Sequence, residues 1–328
     1  MPETRYVKAV ADALAEEMAN DERVIVFGED IGPSGGTFAA TRGLYEKFGK
    51  DRVRDTPISE TAIVGAAIGA AANGLRPVIE IMFMDFIATC WDQVVNQMAK
   101  MRYMFGGQVK LPVVLRTHIG AGLNAGAQHS GSLEAWAVHV PGLKVVMPAT
   151  PADAKGLLKA SIRDDNPVIF IENKTLYATK GDVPDGDHVV PLGVADVRRA
   201  GRDVTVVGVS RMVHEALGAA AELAREGIEA EVIDPRTLSP LDRGTILTSV
   251  KKTGRLVVVH EAWAPCGIGA EIAAIVAEHA FDSLKAPVRR VTAPFTPVPF
   301  SPPMEKLWVP DAARIAAAVR DIVGKERR

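Results

Sequence analysis

Short apolar runs alternate with helical patterns along nearly the whole chain. In the first half, Val24–Phe27, Val78–Ile81, Val113–Leu115, Val145–Met147 and Val168–Ile171 are short and rich in β-branched residues, as strands buried on both faces would be. Between them, Val7, Val10, Ala11, Leu14 and Met18 mark one helical stripe, and Phe86–Met104 carries another. Thr150-Pro151-Ala152-Asp153 predicts a helix start, with a capping hydroxyl, a first-turn proline and an acid behind it, and Asn166-Pro167 closes that helix. In the second half, Val204–Val209, Glu231–Ile233, Leu256–Val259 and Val288–Val291 read as strands. Ser210 is placed to cap a helix with the stripe Val213, Ala216, Ala220, Leu223 and Ala224, which Gly227 ends, and Ile268–Phe281 forms another. Strands separated by helices predict parallel sheets covered on both faces, an α/β chain of two doubly wound domains. Lys180–Pro191 breaks the pattern with Gly181, Pro184, Gly186 and Pro191 among charges. The expected limits are residues 1–180, a linker at 181–195, and 196–328.

In open parallel sheets, ligands bind where strands end, which draws attention to the loops Gly28–Thr37, Asp55–Glu60 and Thr117–Ser132. The second of these ends on Glu60, directly before Thr61–Ala72, an uncharged run of mostly Ala, Ile, Val and Gly. A helix apolar all round is expected to be enclosed. Burial disfavours a charged carboxylate by ~3–5 pKa units when complete, more than the ~0.3–1 kcal/mol by which a helix N-terminus favours it. Glu60 therefore reads either as a neutral acid able to donate a hydrogen bond or as a helix-start acid in water.

Composition narrows the classes. With 328 residues and 48% hydrophobic content the chain can bury two cores. A formal net charge of −2 gives no electrostatic reason to bind nucleic acid or an anionic membrane. Cys90 and Cys266 build neither a disulfide framework nor a zinc site, which suits a reducing cytoplasm. The first residues resemble no signal or transit peptide, and no apolar run is long enough to span a membrane.

Gly120-Ala121-Gly122-Leu123-Asn124-Ala125 matches a dinucleotide fingerprint, yet Gly126, Gln128, His129 and Ser130 follow in no helical pattern, against nicotinamide binding. Gly267-Ile268-Gly269 is explained by close packing at a helix start. His129, on a glycine-loosened loop, is either a surface histidine or a donor–acceptor near neutral pH. Phe83, Phe86 and Trp91 are core aromatics or a cover for a flat ring. Asp85 and Asp92 read as ordinary helix-start and surface acids.

At these residues the chain resembles a known family. Arg52-Val53-Arg54-Asp55-Thr56-Pro57-Ile58-Ser59-Glu60, Ala127-Gln128-His129-Ser130 and His139-Val140-Pro141-Gly142-Leu143-Lys144-Val145-Val146 are similar to the β subunit of thiamine-diphosphate-dependent 2-oxoacid dehydrogenases. Asp234-Pro235-Arg236-Thr237-Leu238 and Pro240-Leu241-Asp242 extend the likeness over essentially the whole chain. Met98–Gly107, Leu133-Glu134-Ala135-Trp136 and Ser249–Gly254 look most like the acetoin dehydrogenase branch. The resemblance implies a pyrimidine-binding domain followed by a transketolase-type C-terminal domain. It implies that Glu60 shares a proton with the aminopyrimidine, that Phe86 stacks on it with Ile58 and Met82 lining the pocket, and that His129 faces substrate or the lipoyl group. Val113, Ser161, Ile162, Asp164 and Asn166 match a potassium site of related subunits. The Gly-Asp-Gly motif that holds magnesium and pyrophosphate in the family's α subunit is absent here. The expected protein is thus half of an α2β2 enzyme that decarboxylates a 2-oxo acid or cleaves acetoin and acylates the lipoyl group of a dihydrolipoyl acyltransferase core. A non-catalytic assembly subunit of the same fold, and a nicotinamide oxidoreductase, are the alternatives.

Three positions depart from the family pattern. Gly131 stands where relatives commonly carry a longer polar residue, His118 where proline is usual, and Phe295 where Asp is frequent. The first two touch the substrate side of the expected cavity; the third bears on docking of the acyltransferase.

Overall fold

The computed structural model describes residues 3–324. It divides into two compact units: the chain up to Gly120 with Gln128–Leu192, and Ala121–Ala127 with the chain from Gly193 onward. Ala121–Ala127 thus belongs to the second unit although it lies in the first half of the sequence.

The first unit is built on strands β1 (Val24–Gly28), β2 (Val53–Asp55), β3 (Arg76–Phe83), β4 (Val114–Ile119), β5 (Lys144–Val146) and β6 (Val168–Asn173). They run parallel in the order β5-β6-β4-β3-β1-β2. Helix α1 (Tyr6–Asn20) turns Val10, Leu14 and Met18 into a core shared with Leu157, Leu158 and Ile162 of helix α3 (Pro151–Arg163). The start of α3 is the one expected: Thr150 Oγ1 accepts from the Asp153 N–H at 3.2 Å and donates to its carboxylate at 2.6 Å. Lys180–Asp182, read as the start of a linker, pairs with Glu3–Arg5.

Helix α2 (Glu60–Ala72) corrects one expectation. It is apolar all round, yet only Ile63, Val64, Ala67, Ile68 and Ala71 are buried. Thr61, Ala62, Gly65, Ala66, Gly69 and Ala72 form an exposed stripe. Glycine and alanine offer so little apolar area that leaving this face open costs little. A groove of about 460 Å³ runs beside it, lined by Phe27, Asp55, Pro57, Ala62 and Ala66 among others.

Phe86–Met104 is not one helix. A 3₁₀ turn (Met84–Cys90), a π turn (Gln93–Met98) and a short α turn (Met101–Met104) follow one another. The buried side chains explain the change: Met84, Ile87 and Cys90 recur every third residue, the 3₁₀ repeat, before the spacing widens to Val94 and Met98.

In the second unit, β7 (Asp196–Arg199), β8 (Val204–Gly208), β9 (Ala230–Asp234), β10 (Leu256–Trp263) and β11 (Arg289–Ala293) lie in the order β11-β10-β8-β9-β7, with only β7 antiparallel. Helices α4 (Met212–Ala224) and α7 (Ala312–Val323) share one core, and α5 (Arg243–Thr253) and α6 (Ile268–His279) follow β9 and β10. Ser210 does not cap α4: it stands in the left-handed region, φ 52°, and Arg211 holds the cap position. The Gly267 and Gly269 expectation is met, because a Cβ on either would lie 2.7 or 2.6 Å from the His260 ring. Among the described residues, no helix is long and apolar enough to cross a membrane.

Candidate active site

The first unit gathers most of the singled-out residues at the C-terminal ends of β3 and β4. Glu60 opens α2 behind Ser59, which contributes no side-chain cap, and is half-buried. Thr61 Oγ1 donates to the Thr89 carbonyl at 2.8 Å and ties this helix start to the Met84–Cys90 turn. Glu60 acts electrostatically on both neighbouring segments. The Glu29 carboxyl is pushed up by burial first, then by Glu60 and Asp30. The Cys90 thiol is pushed up to about 12 by burial first, with the Glu60 charge adding to it.

Phe86 follows on the same turn. Its ring meets the His129 imidazole edge-on at 5.3 Å, and Phe83 meets the same imidazole at 4.8 Å, so His129 is wedged between two aromatic rings. His129 is half-buried, and Lys174 Nζ donates to its carbonyl and, at 3.0 Å, to Ser130 Oγ. Met82 is the extra residue of a β-bulge, since Ile81 pairs with Thr117 and Phe83 with His118. Ile58 sits on the loop before Glu60 with its side chain 83% exposed.

Behind this cluster lies a buried polar chain of which the sequence singled out only His118. His118, 1% exposed, bonds the Met82 carbonyl through Nδ1 and the Tyr177 hydroxyl through Nε2, each at 2.5 Å. Tyr177 donates to Glu172 at 2.8 Å. Arg116, fully buried, donates to Glu172 through Nε at 2.8 Å and to Glu80 through Nη1 at 2.7 Å. Burial works against the guanidinium charge, but Glu172 and Glu80 outweigh it and hold its pKa up. The signal was present as single charges inside apolar runs, Glu80 among them.

Asp85 is the helix-start acid expected, in the first turn of Met84–Cys90, but it also reaches a second segment. Its carboxylate is half-buried, and Oδ2 accepts the Gly131 N–H at 3.1 Å. Burial raises its pKa, countered in part by that N–H, its own N–H, Lys174 and His129.

The dinucleotide-like loop opens no helix. Its N–H groups face carboxylates rather than phosphate: Ala121 donates to Glu261 at 2.5 Å and Asn124 to Glu305 at 3.0 Å.

The residues matched to a potassium site lie at the end of α3 and the start of β4. The Val113 carbonyl accepts from the Val168 N–H, that of Ser161 from the Asp164 N–H, and that of Ile162 from Arg76. The Asp164 carboxylate takes Lys144 on one oxygen and Asn166 on the other. The groups of this turn are paired within the protein, with Arg76 and Lys144 supplying positive charge. Among the described residues, no group of three or more His, Cys, Asp or Glu is placed to hold a metal ion.

A parallel sheet with an acid-led helix, an aromatic-flanked histidine and a second, smaller α/β unit define a transketolase-type chain. Residues 3–180 match the transketolase pyrimidine-binding domain and 193–315 the transketolase C-terminal domain. The chain is 54% identical to the acetoin:2,6-dichlorophenolindophenol oxidoreductase β subunit of Cupriavidus necator, over 95% of each. It is 47% identical to the pyruvate dehydrogenase E1 β subunit of Bacillus subtilis, over 98% of this chain and 99% of that one. The 2-oxoisovalerate dehydrogenase β subunit of the same organism is 46% identical over 97% and 98%. A split-gene transketolase, solved as an inactive β4 tetramer, shares the fold with a TM-score of 0.80 at 24% identity, covering 98% of both chains. The chain belongs to the family of dehydrogenase β subunits that includes the pyruvate, acetoin and branched-chain E1 components.

Proposed function

We infer that this chain is the β subunit of an α2β2 thiamine-diphosphate-dependent dehydrogenase. With its α subunit it would cleave acetoin or decarboxylate a 2-oxo acid, and pass the acyl group to the lipoyl group of a dihydrolipoyl acyltransferase. The domain matches and the length-wide identity support the class, and one local observation carries the role: a half-buried carboxyl, uncapped at a helix start, adjoins the turn that carries Phe86.

The pyrimidine half of the cofactor suits these residues. Glu60 would hold the proton exchanged with a pyrimidine ring nitrogen, Phe86 would stack on the ring, and Ile58 and Met82 would line it. Bound thiamine diphosphate would supply the carbon nucleophile that the side chains of this protein lack. His129, fixed between Phe83 and Phe86, would face substrate and the lipoyl group. Magnesium and the pyrophosphate would be held by the α subunit, whose Gly-Asp-Gly motif this sequence lacks. That subunit would also cover the glycine–alanine stripe of α2 and dry the surroundings of Glu60.

Glu60→Gln in the co-expressed complex should leave assembly intact and lower turnover about a hundredfold or more. Near-full activity would reject the assigned role. Calorimetric titration of thiamine diphosphate and magnesium into the wild-type pair separates this reading from a non-catalytic scaffold, which would bind nothing.

A further inference from the structure

Residue 131 follows His129-Ser130 and has no side chain, and Asp85 reaches into the space that one would fill. A Cβ on Gly131 would stand 2.5 Å from Asp85 Oδ1 and 3.1 Å from its Cγ, while Oδ2 accepts the Gly131 N–H. This corner therefore carries a carboxyl delivered by the Phe86 turn instead of a side chain from the His129 loop. The cation that acts on it, Lys174, is engaged by the His129 carbonyl and Ser130 and lies over the Phe83 ring. The carboxyl is half-buried, with a single backbone donor from another segment.

We propose that Asp85, in the room left by Gly131, is a specificity-determining residue that favours a neutral α-hydroxyketone over an anionic 2-oxo acid. This rests on the thiamine-diphosphate reading given above. A 2-oxo acid brings a carboxylate of its own, and like charges repel strongly in a site shielded from water. An α-hydroxyketone brings no charge and a hydroxyl, which a carboxylate accepts. A site arranged to receive a hydroxyl discriminates against substrates that lack one more sharply than an apolar pocket does.

The net chemistry balances without a further oxidant. The bond between the carbonyl carbon and the carbinol carbon breaks, the hydroxyl loses its proton, and the carbinol half leaves as an aldehyde. The electron pair left on the carbonyl half reduces the lipoyl disulfide: one sulfur takes the acyl group as a thioester and the other takes the proton as a thiol. Asp85 holds and orients the hydroxyl before that proton departs.

The test uses the co-purified α/β complex loaded with thiamine diphosphate and magnesium. Wild-type kcat/KM should be about tenfold or more higher for acetoin than for pyruvate; the reverse preference overturns the proposal. Asp85→Asn keeps the shape and removes the charge. It should lower kcat/KM for acetoin about tenfold or more, lower the acetoin-to-pyruvate ratio, and leave thiamine diphosphate affinity unchanged by calorimetry. A phosphinate analogue of pyruvate, an anion, should bind the variant more tightly than wild type. Equal losses on both substrates, or unchanged analogue binding, would show that Asp85 only supports the His129 loop. A wild-type complex that binds no thiamine diphosphate would remove the underlying reading instead, so the two failures are distinguishable.

Discussion

The carbonyl oxygen of Met82 lies 2.5 Å from Nδ1 of His118. A carbonyl only accepts, so Nδ1 is a donor here. The bulge sets Met82 outside the strand pairing, and the imidazole bonds its carbonyl. His118→Phe should keep the ring volume and orphan the carbonyl. The expected cost is about 1–3 kcal/mol, read as a lower urea midpoint at unchanged slope. An unmoved midpoint would mean that the bulge holds without the imidazole.

Arg116→Met would place an apolar side chain of similar length between Glu80 and Glu172. Two buried carboxylates would then lack their cation, and the loss should be roughly 3–5 kcal/mol. Thermal unfolding of the purified variant measures it, and a shift no larger than that of a surface substitution refutes it.

His260 gives a pH dependence of definite sign. It is fully buried, and burial first, then the Arg290 charge, lowers its pKa from 6.5 to about 4. The unfolded chain therefore binds a proton that the folded chain refuses between these values. Its contribution is complete above pH 6.5 and is lost as pH falls toward 4, on the order of 3 kcal/mol at ~1.4 kcal/mol per tenfold. Taken from pH 7 to 4, the denaturant midpoint of wild type should fall relative to that of His260→Phe. Parallel curves would show that His260 does not set this window.

The exposed face of α2 separates folding from assembly. A Cβ on Gly65 meets nothing within 4 Å, so Gly65→Ala should stabilise the chain alone by about 0.5–1 kcal/mol through helix entropy. Ala66→Arg on the same face should leave the unfolding curve of the chain in place yet abolish co-purification with the α subunit. Retained co-purification would mean that the partner seats elsewhere.

What was legible in the sequence was local. The long apolar strands, the Thr150 cap and the tight glycines at 267 and 269 depend on neighbours a few positions away, and the structure places them as expected. The short strands Val53–Asp55 and Asp196–Arg199, with charged residues among them, were not read. The open face of α2 was not legible, because periodicity reports how apolar a helix is and not which chain covers it. Asp85 was dismissed for a related reason: its partner lies 46 positions further on, and only folding brings the two together.

That contact also constrains the order in which this corner can evolve. Any side chain gained first at 131 must swing the carboxyl of Asp85 aside and forfeit the N–H it accepts, whereas loss of the carboxyl first leaves space a newcomer can occupy freely. Lineages that exchange one arrangement for the other should therefore pass through a form lacking both, and a library varying 85 and 131 together should contain active pairs that neither single series can reach.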